Sequence, residues 1–139
     1  MKSITLPGTL ESLKPLAEFV HVIAKEAGFD KQSTYRLHLA VDEIATNTIM
    51  HGYDGGRIPG QIFLTAEILP DLLRINLEDE APPFDPTQQE CPPDLSATIE
   101  TRAIGGLGIL LAQKNVDQFL YQRVGDRNRV MFILNRPIQ

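Results

Sequence analysis

The residues with the clearest chemical potential lie at a four-residue spacing in one predicted helix. Glu43, Asn47 and His51 follow one another at this spacing, and each step along an α-helix rotates the side chain by about 40° and raises it by about 6 Å. The three side chains therefore form one polar stripe beside the apolar arc of the helix. A carboxylate and an amide at such a border can line a pocket. A solvated polar border is the alternative interpretation of the same periodicity.

A second candidate is the carboxylate at the end of a predicted strand. Asp79 continues the alternation of Leu73, Ile75 and Leu77, so we expect it to face the core as they do. A carboxylate in that position needs a strong hydrogen-bond donor, because an unpaired buried charge is costly. A ligand amine could be this donor. The alternative is a capping aspartate that accepts from nearby backbone N–H groups.

A third candidate is a glycine-rich run before a short apolar helix. The helix is predicted from Ile109 to about Asn115, and it follows Gly105-Gly106-Leu107-Gly108. Glycines allow the backbone to approach an anion closely, and a helix N-terminus supplies N–H donors. The run is neither a Walker A loop nor a dinucleotide-binding fingerprint. An ordinary turn from loop to helix is the alternative interpretation.

Two amphipathic helices precede the strands. Apolar residues at three- and four-residue spacing predict a first helix from Thr9 to Ala27, with Thr9 as N-cap and Gly28 as its stop. If Pro15 occupies the first turn, this helix begins near Lys14 instead. The second helix is predicted from Ser33 to about His51, capped by Ser33 or Thr34.

Two predicted hairpins provide the strands. Period-two alternation of apolar residues predicts them, with strands at Gln61–Leu69 and Leu72–Asp79, then at Asp117–Val124 and Arg129–Leu134 around a turn at Gly125–Asn128. Helix, helix, two strands, long loop, helix and two strands then follow in order. This order predicts an α+β fold, a two-layer sandwich with a mostly antiparallel sheet and helices on one face. The length of 139 residues predicts one domain, 1–139.

Composition narrows the possible functions. The net charge is −5, which disfavours nucleic acid and anionic membranes as partners, because those need an excess of Lys and Arg. A single cysteine, Cys91, excludes an internal disulfide and a CxxC site. No apolar run approaches the roughly 20 residues of a membrane span, so we expect a cytoplasmic protein. Seven acids, no base and five prolines lie between Ile75 and Thr101, which indicates a long acidic loop.

Together these motifs resemble those of a known family. The run from Val41 to Tyr53 resembles the N-box of the GHKL (Bergerat-type, histidine-kinase-like) ATPases. More narrowly, it resembles the anti-sigma-factor serine/threonine kinase branch, where Glu-x3-Asn-x3-His-Gly-Tyr is usual. The run from Glu78 to Pro86 resembles the Asp-x-Gly-x-Gly-Phe-Asp-Pro box of that branch, with Ala81 and Pro83 at two glycine positions. Gly105–Ile109 resembles its second glycine box.

The resemblance implies roles for the candidate residues. Asn47 would coordinate a Mg²⁺ that bridges the ATP phosphates, and Glu43 would be the general base. Asp79 would accept a hydrogen bond from the adenine amino group. The loop 81–104 would be the ATP lid. Further nucleotide contacts would come from the two glycine boxes, at Ala81, Pro83, Gly105, Gly106, Leu107 and Gly108. Arg102 is a candidate for the γ-phosphate, with a surface arginine as the alternative.

The resemblance also implies a function. The chain would be an ATP-dependent serine/threonine protein kinase that acts as an anti-sigma regulatory factor. It would use ATP and Mg²⁺, phosphorylate a serine of an anti-anti-sigma (STAS-type) partner, bind a sigma factor and form a homodimer. One alternative is a non-catalytic nucleotide-binding regulator that acts by protein contact. Another is a bare ATPase or a detached histidine-kinase-type catalytic domain. The Glu43/Asn47 pair favours an enzyme over the contact regulator.

Overall fold

A computed structural model describes residues 1–88 and 107–137. Strands and helices in that part of the chain occur in the order β1 (Lys2–Pro7), α1 (Leu13–Glu26), α2 (Lys31–Asn47), β2 (Gln61–Ile68), β3 (Leu72–Asp79), α3 (Leu107–Lys114), β4 (Gln118–Val124) and β5 (Arg127–Asn135). No helix among the described residues is both long enough and apolar enough to span a membrane.

The strands form one antiparallel sheet in the order β1-β2-β3-β5-β4. One face of the sheet is apolar and packs against the helices, and the other carries polar side chains such as Arg74 and Glu78. The largest fully buried side chains include Leu16, Leu37, Leu64, Ile75, Leu77 and Phe132. The predicted α+β sandwich, with its mostly antiparallel sheet and helices on one face, is therefore confirmed.

The first strand was not predicted. β1 pairs with β2 so that Leu6 lies opposite Ile62, and it forms the edge of the described sheet. Its inward residues are only Ile4 and Leu6, and two apolar residues are too few for a period-two signal. Pairing with β2, rather than the local sequence, therefore defines this strand.

The first helix starts later than Thr9. A 3-10 turn at Leu10–Ser12 leads into α1, so the alternative start near Lys14 is the closer prediction. Pro15 lies in the first turn, where its missing N–H costs no intrahelical hydrogen bond. The predicted stop at Gly28 is confirmed, because this residue has a φ of +89°. The N–H of Phe29 reaches back to the carbonyl of Ala24 at 3.0 Å, as a Schellman motif requires.

The second helix has a different cap from the predicted one. Asp30, rather than Ser33 or Thr34, is the N-cap, and its Oδ1 accepts from the Ser33 N–H at 2.8 Å. The α-helix ends at Asn47, and the chain continues as a π-helical turn over Thr48–Gly52. A π-helical turn is wider than an α-helical one. The step from Asn47 to His51 therefore departs from the regular stripe expected from the sequence.

The C-terminal hairpin has a shorter turn than predicted. Val124 pairs directly with Arg127, which leaves Gly125 and Asp126 as a two-residue turn, with Gly125 at a φ of +61°. β5 therefore begins two residues before the predicted Arg129. This places Asn128 inside the strand, opposite Asp79 of β3.

Candidate functional site

A cavity of about 490 Å³ lies where α2 ends and β3 and β5 meet. This volume is in the range of about 300–1,000 Å³ that small-molecule sites occupy. Its walls combine apolar side chains with a few polar groups. The lining residues are Ile44, Asn47, Thr48, His51, Gly52, Asp79, Ala81, Pro82, Pro83, Phe84, Pro86, Asn128 and Val130.

Asp79 lies buried in this cavity wall with 6% of its surface exposed. Its Oδ1 accepts from the Ala81 N–H at 3.0 Å and from the Asn128 amide at 2.8 Å. Its Oδ2 accepts from the Thr48 hydroxyl at 3.2 Å. The expectation that Asp79 faces the core is met, and the carboxylate also caps a backbone N–H. A carboxylate oxygen can accept two hydrogen bonds, so Oδ2 has room for another donor.

The predicted polar stripe is divided between two surroundings. Asn47 and His51 line the cavity, whereas Glu43 is not among the lining residues. The Glu43 carboxylate instead lies against the first turn of α3. A Cβ atom added at Gly108 would come within 2.5 Å of Glu43 Oε2.

The second glycine box is described only in part. Gly108 lies in α3 and gives the Glu43 carboxylate its space, a contact that the predicted phosphate role did not include. Leu107 begins α3. Gly105, Gly106 and Arg102, and most of the predicted lid 81–104, lie outside the described residues.

The two residues at glycine positions of the first box both border the cavity. Ala81 is buried, and its N–H reaches Asp79 while its carbonyl accepts from Arg123 Nη1 at 3.0 Å. Its side chain faces Gly52, where an added Cβ would lie 2.9 Å from the Ala81 Cβ. Pro83 is exposed and lines the opening. Gly52 therefore leaves space for the Ala81 methyl group, and the proline is accommodated at an exposed edge of the cavity.

Tyr53 holds the chain just after Asp79. Its ring is buried between Gly8 and Gly60, where an added Cβ would overlap the ring. Its hydroxyl donates to the Gln61 carbonyl at 2.7 Å and accepts from the Glu80 N–H at 2.8 Å. Burial raises the pKa of the Tyr53 phenol above its ordinary value, so the hydroxyl keeps its proton at neutral pH. The tyrosine was part of the sequence motif, but its contacts could not be predicted.

Asn128, like Thr48, lines the cavity and bonds to Asp79 without having been predicted from the sequence as a site residue. It is 4% exposed and bonds to Asp79 from the neighbouring strand. The predicted turn placed it in a loop, where its side chain would have had no defined direction. The available signal was its phase, because Asn128 alternates with the inward-facing Val130 and Phe132, just as Asp79 alternates with Leu77.

Sequence comparison identifies the family. The family described as "Histidine kinase-like ATPase domain" matches residues 6–134. The serine-protein kinase RsbW of Listeria monocytogenes serovar 1/2a is 34% identical over 98 residues, which cover 68% of this chain and 62% of that protein. RsbW of Halalkalibacterium halodurans is 30% identical over 123 residues, which cover 81% of this chain and 74% of that protein. The match therefore spans less than two thirds of the length of the Listeria relative.

Solved structures share the fold. The RsbU and RsbW domains of Rv1364c from Mycobacterium tuberculosis superpose with a TM-score of 0.62 at 14% identity, covering 99% of this chain and 34% of that one. The catalytic domain of the histidine kinase ThkA gives a TM-score of 0.57 at 16% identity. The superposition covers 98% of this chain and 99% of that one. The predicted GHKL resemblance is thus confirmed by sequence and by fold. The chain belongs to the histidine kinase-like ATPase domain family.

Proposed function

We propose that this chain is an ATP-dependent serine/threonine protein kinase that acts as an anti-sigma regulatory factor. Its substrate would be a serine of an anti-anti-sigma (STAS-type) partner, and it would bind a sigma factor as a cytoplasmic homodimer. The observation that carries the proposal is the placement of Asp79 and Asn47 in one cavity, with Glu43 one helical turn away. The relatives named as serine-protein kinases support the same activity.

The cavity suits the adenine end of ATP. The open acceptor position on Asp79 Oδ2 would take a hydrogen from the adenine amino group, and Ile44 and Val130 supply apolar walls for the base. Asn47, at the end of α2, would hold Mg²⁺ through its amide oxygen, because carboxylates, amides and waters are the ligands this ion prefers. The ion would neutralise phosphate charge.

Glu43 would act on the partner. It would take the proton from the attacking serine hydroxyl as the bond from the serine Oγ to the γ-phosphorus forms and the bond from that phosphorus to the ADP oxygen breaks. Because Glu43 lies beside α3 rather than in the cavity wall, the phosphates would extend from the cavity toward the start of α3. The general-base role therefore requires the partner serine to approach from this side.

Phosphate transfer to a partner protein tests the proposal. The wild-type chain, an anti-anti-sigma protein from the same organism and γ-labelled ATP with Mg²⁺ should give a labelled partner. A partner whose acceptor serine is replaced by alanine should stay unlabelled. If ATP binds but no partner serine is labelled, the kinase proposal fails and regulation by contact, without catalysis, takes its place.

Replacing Gly108 by alanine separates two roles for this residue. The added methyl group would overlap the Glu43 carboxylate, and a displacement of about 1 Å in a catalytic group can slow a reaction about 100-fold. We expect Gly108→Ala to keep its ATP affinity and to transfer phosphate at least about tenfold more slowly. Calorimetry and a transfer assay measure the two effects.

The matched control for this variant is Gly125→Ala. Gly125 has a φ of +61° and no atom within 4 Å of an added Cβ. Alanine at this turn should lower the melting temperature and leave transfer unchanged. If Gly108→Ala instead weakens ATP binding and transfer equally, the glycine serves the phosphates and not Glu43.

A further inference from the structure

Both polar atoms of the Asn128 side-chain amide make hydrogen bonds within the protein. Its Nδ2 donates to Asp79 Oδ1 at 2.8 Å and to the carbonyls of Ala81 and Pro82 at 3.2 and 3.0 Å. Its Oδ1 accepts from the Phe84 N–H at 3.2 Å and from the Tyr121 hydroxyl at 2.6 Å. The guanidinium of Arg123 adds a further donor to Oδ1, at 3.2 Å. An amide has two hydrogens to donate and two lone pairs to accept with, so Asn128 has no capacity left for a ligand.

These bonds fix the orientation of the Asp79 carboxylate. The Asn128 amide and the Ala81 N–H together occupy Oδ1. Oδ2 keeps only the Thr48 hydroxyl, at the longer distance of 3.2 Å. The open acceptor position of Asp79 is therefore on Oδ2. A carboxylate free to rotate would offer either oxygen, in more than one direction.

The same amide holds the segment Ala81–Phe84. Two carbonyls and one N–H of this segment bond to Asn128. Pro83 has no N–H to offer, and neither glycine position of the usual box is a glycine here. The Asn128 side chain of β5 thus makes hydrogen bonds that fix one wall of the cavity. This wall is formed by Ala81, Pro82, Pro83 and Phe84.

We infer that Asn128 is a positioning residue for base recognition. By fixing Asp79, it presents a single acceptor to the base, which favours a 6-amino purine over a 6-oxo purine, whose oxygen would face the carboxylate. This inference rests on the proposed function, because it takes the cavity to be the nucleotide site. If Asn128 only stabilised the fold, its replacement would lower the affinities for both nucleotides equally.

Binding of ATP and of ITP, its 6-oxo analogue, tests the inference. Calorimetry on the full chain should show a preference of the wild type for ATP. Asn128→Ala should reduce the ratio of the two affinities about tenfold or more, the effect of losing one hydrogen bond to a charged group. The control is Asn135→Ala, an exposed asparagine at the other end of β5, which should keep the ratio.

A second variant covers the case in which Asn128→Ala does not fold. Asn128→Asp keeps the shape but places a carboxylate 2.8 Å from Asp79 Oδ1, and two such groups bind a shared proton. Its ATP affinity should fall as the pH rises, over a range in which the wild-type affinity is constant.

Two results would overturn the inference, namely an unchanged ATP-to-ITP ratio in Asn128→Ala and a pH profile of Asn128→Asp parallel to that of the wild type. A different failure would point to the proposed function. If the wild type binds neither nucleotide, the cavity is not a nucleotide site. The wild type could also prefer ATP while Asn128→Ala keeps the wild-type affinity ratio and Asn128→Asp keeps the wild-type pH profile. In that case only the role of Asn128 is wrong.

Discussion

Replacing Asn47 by alanine should abolish measurable binding of Mg-ATP. Asn47 is the last residue of α2 and lines the cavity, and we propose its amide as the protein ligand of Mg²⁺. Loss of a group that only supports a metal ligand typically lowers metal affinity by about 10- to 100-fold. Loss of the ligand itself should cost more, so we expect the affinity for Mg-ATP to fall by more than about 100-fold.

The fold of this variant should remain intact. Asn47 is half-buried rather than part of the core, and substitutions away from the core usually change the free energy of unfolding by about 0.5 kcal/mol or less. The control is Thr46→Ala, a neighbouring half-buried position that does not line the cavity. Calorimetric titration at saturating Mg²⁺ measures both variants. Wild-type affinity in Asn47→Ala would remove this residue from the nucleotide site.

Replacing Glu43 by glutamine should slow phosphate transfer and leave Mg-ATP binding unchanged, the opposite of a loss of binding. Glutamine has the same shape and keeps the contact with Gly108, but it cannot accept a proton as a base. We therefore expect unchanged Mg-ATP affinity and a rate of phosphate transfer lower by about 10²- to 10⁴-fold, the usual contribution of a general base. Single-turnover transfer of γ-labelled phosphate to the partner serine measures this rate.

Asp42 provides the matched control for Glu43. It is the preceding carboxylate on α2, half-buried, and burial raises its pKa above the ordinary value. It does not line the cavity, so Asp42→Asn should transfer phosphate at the wild-type rate. If both variants lose the same fraction of the transfer rate, the rate depends on the negative charge of α2 and not on a base at Glu43. Full activity in Glu43→Gln would exclude the general-base role.

The parts of the site that the sequence predicted depend on regular periodicity. The phase of β3 was enough to place Asp79 on the inward face, and the four-residue spacing was enough to place Asn47 on a polar border of α2. These predictions succeed because a strand and a helix repeat their geometry at every residue. The α+β architecture followed from hairpins in the same way.

The parts that the sequence did not predict depend on contacts between distant residues. Asn128 was assigned to a four-residue turn, although tight pairing of Val124 with Arg127 shortens the turn and places Asn128 opposite Asp79. β1 has too few inward residues to be detected without β2. The contact between Glu43 and Gly108 joins α2 to α3 across 65 positions of sequence, and no local pattern encodes it.

The central claim is that the cavity between α2, β3 and β5 is the nucleotide site. A crystal structure of the chain with Mg²⁺ and a non-hydrolysable ATP analogue tests it most directly. We expect the adenine amino group within hydrogen-bond distance of Asp79 Oδ2, and Mg²⁺ on the amide oxygen of Asn47. A nucleotide bound elsewhere on the molecule, or an empty cavity at a saturating concentration of the analogue, would contradict it.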